Sequence, residues 1–129
     1  MTTLNQKPLY DLHAEHKEWL SKISFYEDEI KIMSNRIADV ASKNTNKETL
    51  AMVEHFQNQL IAQKENMDIM KHDINEHEAF LEKNINDNPV APDHRKMNDH
   101  AKHRENVESF EKVFNGLRKE LNSFLSKTL

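Results

Sequence analysis

Four of the eight histidines in the chain fall where a helical pattern would turn them inward. His100 and His103 are spaced i, i+3, so both lie on one face of a helix and can reach a single ion, as paired ligands do in metal-binding bundles. His16 and His77 lie in two other segments and also occupy core positions there. Because imidazole is a common ligand of transition metals, this pattern predicts metal binding.

Three long segments must position these histidines. In each segment, core residues recur at alternating spacings of three and four, which predicts a helix with an a/d seam. The chain has one Gly and three Pro in 129 residues, a composition typical of long helices with few turns. The predicted seams are Leu9, Leu12, His16, Trp19, Ile23, Tyr26, Ile30, Met33, Ile37 and Val40; then Val53, Phe56, Leu60, Gln63, Met67, Met70, Ile74, His77 and Leu81; then His100, His103, Val107, Phe110, Phe114, Leu117, Leu121 and Phe124.

Local signals place the ends of these helices. Pro8 is suited to a first helical position, and Asn44 to a left-handed C′ residue. Thr45 and Glu48 have the spacing of a capping box, which predicts a tight turn and a new helix. Residues 84–93 contain two prolines and several turn-forming residues, so they predict the one substantial loop, with Asp93 as the cap of the third helix. The expected helices are about 8–43, 46–84 and 92–127.

Helices of similar length joined by a tight turn and a short loop predict an all-α fold, an antiparallel up-down-up three-helix bundle in a single domain, 1–129. Heptad patterning is also typical of coiled coils, and it permits a hairpin that completes its core by dimerisation. Four apolar residues lie off the seams and predict a contact face for a homodimer. They are Phe25, Ile32, Ile61 and Ile69.

Counting residues from the turn and from the loop brings the four inward histidines to one cross-section of the bundle. Imidazoles at this density predict a site for Zn, Cu, Ni or Fe rather than for Ca or Mg. Two or more carboxylates among the ligands would instead favour Fe or Mn, with a dinuclear centre as an option. The predicted ligands are His16, His77, His100 and His103, with His13, Asp73 and Glu78 as completing ligands.

The free-energy cost of burying histidine without a hydrogen-bond partner supports the hypothesis of a metal site. An unpaired buried ring nitrogen costs about 1 to 3 kcal/mol, whereas zinc-scale coordination contributes on the order of 10 kcal/mol. Alternatives remain: a hydrated or mutually hydrogen-bonded polar layer, a pH-sensing cluster, haem held by two histidines, and a structural or interaction module without metal. His55, His72 and His94 point outward in this register.

Two short stretches, Glu15 to Leu20 (EHKEWL) and Glu76 to Leu81 (EHEAFL), resemble the ligand-bearing helices of hemerythrin-like proteins. The resemblance implies a di-iron centre that binds oxygen. That family has a further histidine four residues before the position of His77, where this chain has Asp73, and it has a fourth ligand-bearing helix. The di-iron chemistry is therefore not carried over.

Composition excludes several classes of protein. The absence of cysteine excludes disulfides and thiolate metal sites. A formal charge of -4 with interspersed signs argues against a nucleic-acid or anionic-membrane surface. Neither a signal peptide nor a transmembrane segment is recognisable, so a cytoplasmic location is the expectation. No Ser-His-Asp order, phosphate-binding Gly loop, HExxH or EF-hand pattern occurs, and a non-enzymatic protein is favoured over an enzyme.

Overall fold

A computed structural model describes the backbone of residues 2–87 and 94–128 and the side chains of 10–83 and 99–128. Three helices follow one another, α1 (Thr2–Lys43), α2 (Lys47–Asp87) and α3 (His94–Thr128). They pack against one another as a three-helix bundle, and the described residues include no strand. None of the helical sequence in these ranges has an apolar stretch of the length that a bilayer core requires.

Each helix contributes to two compact units. One unit comprises Met1–Ile23 with Asp68–Glu108, and the other comprises Ser24–Met67 with Ser109–Leu129. All three helices therefore supply residues to each unit. Within each unit, the seam residues form the interior.

The seams of α1 and α2 are confirmed. Every predicted seam residue whose side chain is described is buried in these two helices. In α3 two predicted seam residues, His103 and Phe124, are only half-buried. The last position was wrong, because Leu125 is buried in place of Phe124, whose ring lies 5.2 Å from the ring of Phe56. A straight helix has 3.6 residues per turn, so a strict 3.5-residue pattern gradually moves off the buried face. The buried positions Leu117, Leu121 and Leu125 therefore follow one another at two successive spacings of four.

The turn between α1 and α2 is tight, as predicted, but Asn46 rather than Thr45 is its cap. The Oδ1 atom of Asn46 accepts hydrogen bonds from the backbone N–H groups of Glu48 (2.8 Å) and Thr49 (3.3 Å). Neither Asn44 nor any other described residue has a positive φ, so the left-handed C′ residue was also wrong. Instead, the Asn44 amide donates to the Val40 carbonyl at 2.8 Å, which satisfies an acceptor left over at the helix end.

Two helix ends lie further out than the sequence suggested. The backbone is helical from Thr2, so Pro8 lies inside α1 rather than at its start. The φ of proline suits a helix, but a proline inside a helix removes one backbone donor and crowds the carbonyl four residues earlier. Asp87 ends α2 three residues beyond the predicted end at residue 84, while Asp93, the predicted cap of α3, lies outside the described residues.

Polar groups are also present in the unit that contains the tight turn. Gln63 is buried, and no group in the described part of the chain donates a hydrogen bond to its Oε1 atom. At the side of this core, Arg118 donates to Glu29 (2.8 Å from Nε to Oε2), and the hydroxyl of Tyr26 donates to Glu111 at 2.9 Å. These pairs connect α1 with α3.

The capping role of Asn46 can be tested by substitution. Replacing Asn46 by Ala removes the acceptor of two N–H groups, so we expect the free energy of unfolding to fall by about 1 kcal/mol. Urea denaturation measures this difference. Thr45→Ala is the matched control and should change the stability by less than about 0.5 kcal/mol; a larger loss in Thr45→Ala than in Asn46→Ala would contradict the assignment.

Candidate metal centre

Three of the four predicted histidines meet in the interior of the unit formed by residues 1–23 and 68–108. His16, His77 and His100 come from α1, α2 and α3 and are 0%, 5% and 1% exposed. Their ring centroids are 5.0 Å apart for His16 and His77, 4.9 Å for His16 and His100, and 5.7 Å for His77 and His100. These three residues are called the histidine trio below.

The ring nitrogens of the trio converge. Nε2 of His16 lies 3.1 Å from Nδ1 of His77 and 3.2 Å from Nδ1 of His100. One nitrogen from each ring lies within 4.8 Å of one nitrogen from each of the other two. Two nitrogen ligands of a tetrahedral zinc ion, each about 2.0 to 2.1 Å from the metal, are about 3.3 to 3.4 Å apart. The trio is therefore close to the spacing that one small ion requires.

Two carboxylates determine which ring nitrogens carry hydrogen. Nδ1 of His16 lies 3.2 Å from Oε1 of Glu78, and Nε2 of His100 lies 3.1 Å from Oε1 of Glu15. A carboxylate only accepts, so both of these ring nitrogens must be N–H donors. In a neutral ring the other nitrogen then carries a lone pair, and in both rings that nitrogen points into the trio.

The trio therefore brings lone pairs together. Nε2 of His16 and Nδ1 of His100 face each other at 3.2 Å, and neither has a hydrogen to donate in the tautomers that the carboxylates select. An N–H at Nδ1 of His77 can donate to Nε2 of His16. That single hydrogen cannot also satisfy the lone pair on Nδ1 of His100. A cation at the centre would satisfy all three nitrogens, and a metal ion is a cation that takes three neutral imidazoles.

Burial favours the neutral forms of His16 and His100. It lowers the pKa of His16 and of His100 below the ordinary value of 6.5, and the hydrogen bonds to Glu78 and Glu15 oppose this effect only in part. Hydrogen bonds from Arg104 lower the pKa of Glu15, which favours its ionised form. Imidazoles with carboxylates hydrogen-bonded behind them are the arrangement that orients and strengthens histidine ligands of metals.

Trp19 covers one side of the trio. Its ring is stacked on that of His100, with centroids 4.8 Å apart and an angle of 29° between the planes, and it lies 5.6 Å from the ring of His16. The indole is buried, so this side of the trio is dry. Trp19 is also the only tryptophan of the chain, which makes its fluorescence specific to this site.

His103, the fourth predicted histidine, lies beside the trio rather than in it. A position three residues later on α3 is about 4.5 Å further along the helix axis, and the group of ring nitrogens that lie within 4.8 Å of one another comprises His16, His77 and His100. The half-buried His103 ring lies 5.2 Å from that of His77, in the wall of a cleft of about 470 Å³ between α2 and α3. Asp73, a predicted completing ligand, lines the same cleft.

His13 and Glu78, the other predicted completing ligands, bind each other. Nδ1 of His13 lies 2.8 Å from the same Glu78 oxygen that faces His16, and together with Glu82 the pair forms a second, more exposed group of close ligand atoms. His13 thus lies behind the trio, with Glu78 between.

Other histidines stay outside, as predicted: His55 and His72 are exposed, whereas the side chain of His94 is not among those described. Sequence reasoning missed Arg104, which holds Glu15 through two hydrogen bonds of 3.0 and 2.6 Å. The available signal was its position one helical turn after His100, beside the acidic residue that precedes His16.

Burial of neutral rings makes stability depend on pH. The unfolded chain protonates His16 and His100 near 6.5, whereas the folded chain does so only at lower pH, so the unfolded state binds more protons below 6.5. We expect the metal-free protein to keep its full stability above about pH 6.5 and to lose up to about 1.4 kcal/mol per pH unit for each ring as the pH falls towards the lowered pKa values. Urea unfolding between pH 5 and 8 measures the slope.

The control for this pH dependence is His100→Gln, which removes one titrating ring and should make the slope shallower. His55→Ala, which changes an exposed ring, should leave the slope as it is. Equal slopes in the wild type and His100→Gln would contradict the prediction.

Comparison of the chain with protein-family models, with curated proteins and with solved structures finds no match. The resemblance of residues 15–20 and 76–81 to hemerythrin-like proteins therefore assigns no family. The chemistry available to this site follows from its own residues, three converging imidazoles backed by two carboxylates.

Proposed function

We propose that the protein binds one divalent transition-metal ion through His16, His77 and His100. The observation that carries this proposal is the distance of 3.2 Å between His16 Nε2 and His100 Nδ1. Both atoms carry lone pairs, because the opposite nitrogens of the two rings donate their hydrogens to Glu78 and Glu15. A metal ion replaces the repulsion between these lone pairs by two coordinate bonds. The third bond comes from His77.

The ligand chemistry favours a borderline metal. Three neutral nitrogens without thiolates suit Zn, Cu, Ni or Fe, and a hard cation such as Ca or Mg would select oxygen ligands instead. Closure by Trp19 and by the ion pair of Glu15 with Arg104 favours a retained ion, held for structure or storage. Catalysis would need a coordination position that substrate can reach.

Metal content tests the proposal directly. Protein purified without an affinity tag and supplied with Zn²⁺ should retain about one ion per chain by elemental analysis. Because the ion binds only the folded chain, a free concentration 100 times Kd adds about 2.7 kcal/mol of stability, which raises Tm by on the order of 10 °C over protein in EDTA.

Variants of the trio should lose both effects. We expect His77→Ala and His100→Ala to lower metal content and Tm together, since each removes one of three ligands, while His55→Ala changes neither. His100→Gln keeps most of the side-chain volume and guards against simple loss of folding, which circular dichroism monitors. Wild-type protein that retains no metal and melts at the same temperature with and without EDTA would exclude the proposed function.

An interaction surface is the second candidate function, and it is independent of metal. Phe25 and Ile32 lie seven residues apart on one face of α1 and are 61% and 53% exposed; Ile61 on α2 is 58% exposed. Ile61 also lines a groove of about 760 Å³ whose charged lining is balanced, with Glu27 and Glu65 against Lys31 and Lys64. We infer that this face meets a second copy of the chain. A surface with equal numbers of acidic and basic groups can pair with an identical surface across a two-fold axis without net repulsion. Ile69, predicted for the same face, is exposed in the other unit.

A change of mass tests this second candidate. Phe25→Gln with Ile32→Gln removes the exposed apolar area of α1 and leaves the buried seam residues unchanged, so sedimentation equilibrium should show a shift from the mass of two chains to that of one. Metal content should stay the same. A single-chain mass for the wild-type protein at high micromolar concentration would contradict dimerisation.

A further inference from the structure

The outer edges of His16 and His100 are closed by hydrogen-bonded carboxylates. Glu78 lies at Nδ1 of His16, and Glu15 lies at Nε2 of His100. Both rings are fully buried, and the indole of Trp19 lies against them. An ion that approached from these directions would have to displace a carboxylate or the indole.

His77 is the member of the trio that borders an open cleft. Its ring lines the cleft between α2 and α3, while its Nδ1 atom lies 3.1 Å from Nε2 of His16. The ring of His103 is 5.2 Å from that of His77 and lines the same cleft. The rings of His103 and His77 thus lie next to each other between the cleft and the buried nitrogens of the trio.

The cleft also carries the charge that attracts a cation. Its lining includes three carboxylates, Asp73, Glu76 and Asp99, and one ammonium group, Lys102. A cleft with charges of mainly one sign focuses the electric field and raises the association rate of ions of the opposite sign. Carboxylate oxygens also tolerate the hydration shell that an arriving divalent ion still carries.

We propose that this cleft is the loading route of the metal site, and that His103 binds a divalent transition-metal ion in transit before the ion passes to His77. This proposal rests on the proposed function and adds a role for His103 that is distinct from permanent ligation. His103 is half-buried on the cleft wall, so it can take an ion from solvent. His77, only 5% exposed, receives the ion at the inner end.

Kinetics separate a transit ligand from a permanent one. A group that binds the ion only on the way lowers the barrier for arrival and for departure alike, so its removal slows both rates by the same factor and leaves Kd unchanged. Removal of a permanent ligand raises Kd, mainly through faster dissociation. The two roles therefore give opposite changes in the dissociation rate.

The test follows Trp19 fluorescence after rapid mixing of the metal-free protein with CoCl₂, since Co²⁺ quenches a fluorophore in contact with it. Dissociation is followed after mixing the loaded protein with EDTA. We expect His103→Ala and His103→Gln to slow both association and dissociation by on the order of tenfold, with Kd unchanged. Asp73→Asn with Asp99→Asn should slow association at low ionic strength, and 1 M salt should remove that difference. His55→Ala is the control and should bind at the wild-type rate.

Two results would overturn the proposal. A higher Kd with faster dissociation in His103→Ala would make His103 a permanent ligand, and unchanged rates in both His103 variants would place the route elsewhere. Failure of the proposed function is distinguishable, because the wild-type protein would then neither quench with Co²⁺ nor retain the metal on dialysis.

Discussion

Three buried imidazoles that share one layer of a helical bundle impose the constraint on which the rest of this unit depends. A buried polar group requires a partner, and each ring has two nitrogens to satisfy. Glu78 and Glu15 satisfy the outward nitrogens of His16 and His100. The same bonds turn the lone pairs of His16 Nε2 and His100 Nδ1 towards the centre of the trio. A positive charge at that centre would therefore be stabilised by both rings.

The apolar seams hold this layer in place. Leu12, Ile74 and Leu81 are buried within the same unit, and each lies three or four residues from a histidine of the trio on its own helix. Burial of a side chain of this size stabilises the fold by roughly 1.5 to 3 kcal/mol, comparable with the cost of one unsatisfied ring nitrogen. Apolar layers on both sides of the histidines therefore offset the cost of a polar one.

Much of the fold could be predicted because spacings of three and four leave little choice over long helices. The exceptions are positions where two neighbouring residues suit the same role. Thr45 and Asn46 are both good caps, and Phe124 and Leu125 are both apolar, so only the path of the backbone distinguishes them. The ends at Thr2 and Asp87 also lay beyond the periodic pattern that defined the helices.

The candidate site was predictable to the level of its helices and layer. His16, His77 and His100 follow from seam positions and from counting residues to the turns. The separation of His103 from the trio depends on the rise along α3 and on the rotamer of the side chain, which spacing in the sequence does not fix. The pairing of Arg104 with Glu15 depends on the rotamers of two long side chains, for which a sequence pattern carries little information.

Glu78 has a consequence of its own, because one of its oxygens accepts from two rings. Oε1 lies 2.8 Å from Nδ1 of His13, which is half-buried, and 3.2 Å from Nδ1 of His16, which is inaccessible to solvent. Two donors that share an acceptor compete for its electron density, so a stronger bond to one weakens the other. Nδ1 of His13 also lies 2.5 Å from Oε2 of the same carboxylate, so Glu78 joins a half-buried imidazole to an interior one through both of its oxygens, and the position of this one side chain affects both rings.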